Sequence, residues 1–196
     1  MLQNKVYITI GRHERYGLGD TAILREDMLA AFQTGVNLRQ ILPPCACVYH
    51  SPLERAVVTA KFQALGLNCD HIIEAADLSE NTPKYEVQKF FNRLLQYTDE
   101  SVQYYHFVTH LPVVEKLGLP FLTAGEICLL TADNWQAMLS ENFALQTIKV
   151  PAIGVELWQK TGLTAASLEK LSTAEIYALL QKLMNKKHKH QSSILF

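Results

Sequence analysis

The first apolar block of the chain, residues 5–10 (KVYITI), is β-branched and aromatic with no polar alternation, the pattern of a strand covered on both faces. Over residues 21–42 the period changes. Leu24, Met28, Ala31, Phe32, Leu38, Ile41 and Leu42 recur at near-helical spacing, which predicts a helix stopped by Pro43-Pro44. Gly35 falls inside it and is expected to weaken or split it. Residues 45–51 (CACVYHS) read as a second short strand. Residues 51–66 (SPLERAVVTAKFQALG) read as a helix, with Ser51 as N-cap, Pro52 at the first helical position and Gly66 at the C-terminal cap.

The alternation continues. Residues 69–74 (CDHIIE) predict a third strand, followed by the polar loop AADLSENTPKY. A helix over 84–97 follows, with Val87, Phe90, Phe91, Leu94 and Leu95 on one stripe. Residues 103–112 (QYYHFVTHLP) give a strand that ends in histidine, with Pro112 near a helix start. GEICLLTAD and ALQTIKVP are two further strands joined through a turn at Asn134. Ser172-Thr173-Ala174-Glu175 is a capping box that opens a terminal helix over about 173–186, and the basic KKHKHQSSILF is expected to fray. Strand–helix alternation of this kind argues for an α/β fold with a mostly parallel central sheet flanked by helices. Residues 1–150 are expected to form the α/β domain, and 151–196 a helical C-terminal extension of it.

Composition narrows the function. The 196 residues carry a formal charge of −1, so no global field recruits nucleic acid or an anionic membrane, and any bound anion must be caught by a local charge cluster. No signal-peptide pattern opens the chain and no apolar run approaches the ~20 residues needed to cross a bilayer, so a cytoplasmic protein without a membrane partner is expected. Cys45, Cys47, Cys69 and Cys128 form no CxxC pair and read as buried free thiols rather than a zinc site.

The candidate chemistry lies at three strand ends, because ligands in parallel α/β sheets bind beyond the carboxyl ends of the strands. The first strand delivers Arg12 and His13. The second runs into Ser51 and, in the first turn of its helix, Arg55. The HFVTHLP strand delivers His110. Two arginines and two histidines at one edge suit a phosphoryl dianion: the guanidinium fork grips its oxygens bidentately, and a neutral imidazole attacks phosphorus. Ser51 is open to two roles, helix cap and phosphate ligand. His106 shares a strand face with His110, but a metal site there lacks a third ligand at sensible spacing. His50 reads as a pocket-lining or a packed histidine, His188 and His190 as a solvated tail, and Tyr85, Phe90, Phe91 and Tyr97 as core and rim.

RHE at 12–14, SPLERAVVTA at 51–60 and VTHLPVV at 108–114 resemble the three signature segments of the histidine phosphatase superfamily, whose fold is the phosphoglycerate-mutase-like three-layer sandwich. The likeness is greatest to the small bacterial phosphohistidine phosphatases, whose third segment also reads S/T-H-L-P. SENTP at 79–83 resembles their E-L-T-P loop and PFLTAGEICLLTAD at 120–133 the strand that follows. The resemblance covers roughly the first 150 residues.

It implies His13 as the nucleophile that becomes phosphorylated, Arg12, Arg55 and a protonated His110 as phosphoryl-binding groups, and Glu80 as proton donor to the leaving group. It also implies a metal-independent phosphatase without a cofactor, acting on a phosphorylated protein, phosphohistidine above all, or on a small phosphorylated metabolite.

Two positions depart from the pattern. Leu24-Arg25-Glu26-Asp27-Met28 stands where the family often has L-T-x-x-G, a change of packing. Glu14 stands where the family has glycine. A carboxylate there is expected to repel a dianion unless it points outward, pairs with Arg15 or serves as a second acid. This position motivates the rival expectation of a pseudo-phosphatase that binds phosphorylated ligands, or a protein partner, without turnover.

Overall fold

The computed structural model describes residues 5–16, 23–149 and 155–192. The first two residues of the helix expected over 21–42 lie outside these, as do residues 193–196 and the side chains of His188 and His190. The described residues build a six-stranded sheet from β1 (Val6–Arg12), β2 (Cys47–His50), β3 (Ile72–Glu74), β4 (Tyr104–Thr109), β5 (Ile127–Ala132) and β6 (Ala144–Ile148), in the order β3-β2-β4-β1-β5-β6. β3, β2, β4 and β1 run parallel; β5 is antiparallel to β1 and to β6. Every residue of β4 is buried, as a strand with neighbours on both edges and helices on both faces must be.

One face of the sheet is covered by α1 (Arg25–Ile41) and α2 (Glu54–Leu67), the other by α3 (Lys84–Gln96), α4 (Leu111–Lys116) and α5 (Trp135–Leu139). Phe90, Phe91 and Phe107 pack together on the α3 side, with Phe91 and Phe107 ring centroids 4.7 Å apart. On the α2 side a buried polar chain crosses the sheet. Thr9 Oγ1 meets Tyr104 Oη at 2.7 Å and His106 Nδ1 at 2.6 Å, and His106 Nε2 meets Gln63 Oε1 at 2.8 Å.

Two glycines behave differently from the sequence expectation. α1 runs unbroken through Gly35, and Gly66 lies inside α2, not at its cap. A Cβ on Gly35 would collide with the carbonyl oxygen of Gln63, and one on Gly66 with that of Phe32. The helices therefore cross backbone to backbone at this glycine pair, and packing outweighs the roughly 1 kcal/mol propensity penalty of each glycine. The left-handed cap of α2 is Asn68 (φ 59°, ψ 42°).

α6 (Val155–Thr161), α7 (Ala165–Leu168) and α8 (Thr173–Ser192) lie against α1 and α2. Leu157, Leu168, Ile176, Leu180 and Met184 share a buried cluster with Met28, Leu29, Phe32 and Phe62. The capping box that opens α8 is formed: Glu175 N–H donates to Ser172 Oγ at 3.3 Å, and Ser172 N–H to Glu175 Oε2 at 2.8 Å. The α8 backbone stays helical to Ser192, beyond the end near 186 that the periodicity predicted. Among the described residues no helix is long and apolar enough to cross a membrane.

Candidate active site

β4 organises the carboxyl edge of the sheet. Arg12 ends β1 opposite Thr109, His13 N–H donates to Thr109 O at 3.0 Å, and Ser51 N–H donates to Val108 O at 3.0 Å. Both neighbouring chains are thus clamped to the last residues of β4, whose next residue is His110. Thr109 Oγ1 also donates to Leu78 O at 2.7 Å, which ties the loop carrying Glu80 to the same edge. Arg55 sits in the first turn of α2. The sequence-predicted residues Arg12, His13, Ser51, Arg55, Glu80 and His110 therefore meet at one place.

His13 is oriented by its own backbone. Its Nδ1 lies 2.6 Å from the carbonyl oxygen of Glu14, which only accepts, so Nδ1 carries the proton and Nε2 carries the lone pair. Arg55 Nε–H donates to that lone pair at 3.1 Å. Burial, joined by the positive guanidiniums of Arg55 and Arg12, pushes the His13 pKa down to about 4. The ring is neutral at physiological pH, the state a nucleophilic imidazole needs.

The His110 ring centroid lies 5.0 Å from that of His13. Its Nε2 shares a 2.7 Å hydrogen bond with Ser51 Oγ, while its buried Nδ1 has no hydrogen-bond partner and lies 3.9 Å from Glu80 Oε2. Burial, then His13 and the two arginines, push its pKa down to about 3. The sequence leads one to expect a protonated His110, whereas burial and the two nearby guanidiniums favour the neutral ring. Ser51 does not cap α2, whose N-cap position is Leu53 with no side-chain cap bond. Its hydroxyl is fully buried and serves His110.

Arg12 Nη1 donates to Leu122 O at 3.1 Å, and its buried Nε has no hydrogen-bond partner among the described residues. Glu80 is half-exposed and reaches in from above, its Oε2 2.6 Å from Arg55 Nη2. Lys116 Nζ, at the end of α4, donates to the Glu80 carbonyl at 2.6 Å and fixes the loop.

Glu14 neither points outward nor pairs with Arg15. It is 4% exposed, so it does not point outward, and Arg15 pairs instead with Asp27 at 2.7 Å. Its carboxyl packs against Gly125, where a Cβ would stand 2.5 Å from Oε2; Gly125 is in the left-handed region (φ 79°). Burial, then the neighbouring charge of Asp27, raise the Glu14 pKa to about 8. The side chain is a neutral acid at pH 7 and adds no negative charge to the cluster at the strand ends. Its backbone N–H donates to Thr59 Oγ1 at 3.1 Å, and Thr59 Oγ1 to Arg55 O at 2.8 Å.

Tyr16, Thr59 and Lys116 are site residues that sequence reasoning missed. Tyr16 lies with its ring 5.5 Å from His13 and 5.1 Å from the Arg55 guanidinium carbon. For Thr59 a signal existed, since it stands one helical turn after Arg55 on α2. For Tyr16 and Lys116 there was none. His50 is a packed histidine, its Nδ1 2.9 Å from Ser51 O. His106 belongs to the buried chain with Thr9 and Gln63, and among the described residues no three acidic, thiol or imidazole side chains are grouped to hold a metal.

No family model and no curated protein matches the chain. Solved structures do. The protein histidine phosphatase SixA in complex with tungstate superimposes with a TM-score of 0.62 at 19% identity, over 74% of this chain and 97% of that one. A phosphoglycerate mutase from Plasmodium falciparum gives 0.52 at 20% identity, over 76% and 92%. A mycobacterial glucosyl-3-phosphoglycerate phosphatase gives 0.54 at 12% identity, over 76% and 100%. The fold is therefore the phosphoglycerate-mutase-like α/β sandwich, as the strand order and the strand-end motifs lead one to expect.

Proposed function

We propose that this chain is a phosphatase that works through a phosphohistidine on His13. The observation that carries the reading is a neutral His13 whose Nδ1 is locked on a backbone carbonyl, leaving the Nε2 lone pair among Arg12, Arg55 and His110. Arg12 and Arg55 bind the equatorial phosphoryl oxygens, and Arg55 must first turn its Nε–H from the His13 lone pair to an oxygen. The arriving dianion offsets the guanidinium charge and favours proton uptake by His110, which then donates to the phosphoryl group while Ser51 holds its ring.

His13 Nε2 attacks phosphorus in line and the bond to the leaving group breaks. Glu80, released as Arg55 turns to the phosphoryl oxygens, takes up a proton from solvent and passes it to the leaving atom, directly or through water. Water then attacks phospho-His13, releases its proton to Glu80, and frees orthophosphate and the neutral imidazole. Two guanidiniums neutralise the charge for which other phosphoryl-transfer sites use a metal, so turnover survives a chelator.

SixA and the phosphoglycerate-type phosphatases that share the fold point to phosphorylated proteins or small phosphorylated metabolites as substrates. The half-exposed Glu80 loop suits a phosphorylated side chain, phosphohistidine first and a small phosphomonoester second. Both p-nitrophenyl phosphate and a phosphohistidine protein serve as assays. Release of phosphate by the wild type and its loss in His13→Ala support the reading. Phosphate bound without turnover in the wild type, with activity gained in Glu14→Gly, would instead establish the pseudo-phosphatase.

A further inference from the structure

Four aromatic side chains are exposed among the described residues: Tyr16, Tyr85, Tyr97 and Phe121. Of these, Tyr16 alone packs its ring on the residues at the strand ends. Its centroid lies 5.5 Å from that of His13, with the planes tilted by 53°, and 5.1 Å from the guanidinium carbon of Arg55. The second distance is inside the roughly 6 Å over which a cation is attracted to the face of a ring. Tyr16 is also pinned: its backbone forms an antiparallel bridge with Ile23, a core residue 3% exposed, whereas Tyr16 itself is 43% exposed. An aromatic ring is thus held at the mouth of the cluster, partly covered by His13 and Arg55 and partly open to solvent.

Arg55 fixes what that ring faces. The same guanidinium that carries Tyr16 has Glu80 Oε2 2.6 Å from its Nη2. A leaving group that takes its proton from Glu80 therefore departs beside the guanidinium that Tyr16 covers. The arginines meet much the same dianion on every phosphorylated side chain, so they do not tell one substrate from another. The atoms beyond the leaving atom do. Phosphoserine offers a single methylene there. Phosphotyrosine and phosphohistidine offer a flat ring, which can pack on Tyr16 at the 4.5–7 Å centroid separation of offset and edge-to-face pairs. Such a ring also takes the open part of Tyr16 out of water.

We propose that Tyr16 is a specificity-determining residue that packs on the flat ring of a phosphorylated tyrosine or histidine side chain and favours it over phosphoserine. The assignment rests on the phosphatase reading for the place of the leaving group.

Peptides of one sequence carrying phosphotyrosine, phosphohistidine or phosphoserine are compared by kcat/KM on the full chain and on Tyr16→Phe, Tyr16→Leu and Tyr97→Leu. Phenol and imidazole leave more readily than an alkoxide, so the wild-type order decides nothing, and the change in ratio on substitution is what counts. Tyr16→Leu is expected to lower the phosphotyrosine-to-phosphoserine and phosphohistidine-to-phosphoserine ratios by about 3–10-fold, the scale of one aromatic pair. Tyr16→Phe is expected to keep both ratios, as is Tyr97→Leu, which lies at the end of α3 remote from Glu80. A fall confined to one ratio names the side chain that Tyr16 reads. Binding separates the ring contact from turnover: phenylphosphonate is expected to bind the wild type more tightly than methylphosphonate, and Tyr16→Leu to abolish that preference. If no peptide is hydrolysed but the phenyl preference is present and is lost in Tyr16→Leu, the ring contact stands and the phosphatase reading falls. If peptides are hydrolysed and Tyr16→Leu leaves both ratios unchanged, the ring contact is overturned and the phosphatase reading stands. Equal binding of the two phosphonates by the wild type, or binding of neither, also overturns the proposal.

Discussion

Two carboxyl groups lie close to His13, and the surroundings treat them in opposite ways. Glu14 is folded under the strand end into a dry niche formed by Gly125, where desolvation and Asp27 hold it as a neutral acid. Glu80 hangs over the edge in a loop anchored by Lys116, half-exposed and ion-paired to Arg55. The same functional group is thus silenced in one niche and kept within reach of the reactive centre in the other. The residue type does not set the charge that the strand-end cluster feels. The solvent and the partners around each carboxyl do.

The largest expected effect comes from breaking the Glu80 side at its anchor. Arg55→Ala removes the contact to both His13 and Glu80, and kcat/KM in the phosphatase assay should fall by about 10^2–10^3-fold, the scale of one lost charge-stabilising donor. Arg55→Lys should not restore it, because a point charge cannot serve two partners in a fixed fork. Next comes Glu80→Gln, expected to lower kcat on an alkyl phosphate by about 10^2-fold and much less on a phosphohistidine protein, whose imidazole leaves more readily. Equal losses on both substrates would remove Glu80 from the proton-donor role.

Breaking the Glu14 side should show in stability. Its folded pKa, about 8, lies above its unfolded value of 4.5, so its contribution is fully present below pH 4.5 and is lost as pH rises through 8. His13 and His110, held at about 4 and 3, act in the reverse direction, losing stability as pH falls below 6.5. Between pH 6.5 and 8, then, Glu14 alone of these three sets a slope, amounting to about 2 kcal/mol. Urea midpoints across that window should fall in the wild type and stay flat in Glu14→Gln. The smallest effect is expected from Gly125→Ala, which forces a side chain into the left-handed region at about 1–2 kcal/mol. Pairing it with Glu14→Gly should recover only the part that came from the carboxyl clash, a coupling that a double-mutant cycle reads.

Much of the site was legible in the chain because its residues sit at strand ends. An apolar strand that stops in Arg12-His13, a second that runs into Ser51 and Arg55, and a third that stops in His110 can only converge if the strands are parallel neighbours. The element pattern already implied that they are. Lys116 and Tyr16 were not legible, since nothing local marks a lysine at the end of one turn of helix, or a tyrosine after a strand, as facing a particular loop or ring. Gly35 and Gly66 were misread for the same kind of reason: each looks like a helix breaker alone, and only the crossing of α1 with α2 makes them a matched pair.

The amino-acid order alone determined the strand and helix succession, the buried stripe of each element and the chemistry gathered at the carboxyl edge, because period and residue type are local properties of the chain. Tertiary structure decided which ring is neutral, where Glu14 turns, and that Ser51 serves His110 rather than a helix end. Each of these depends on burial and on neighbours far away in the chain, and desolvation, which sets the protonation states, exists only once those neighbours have closed around the group.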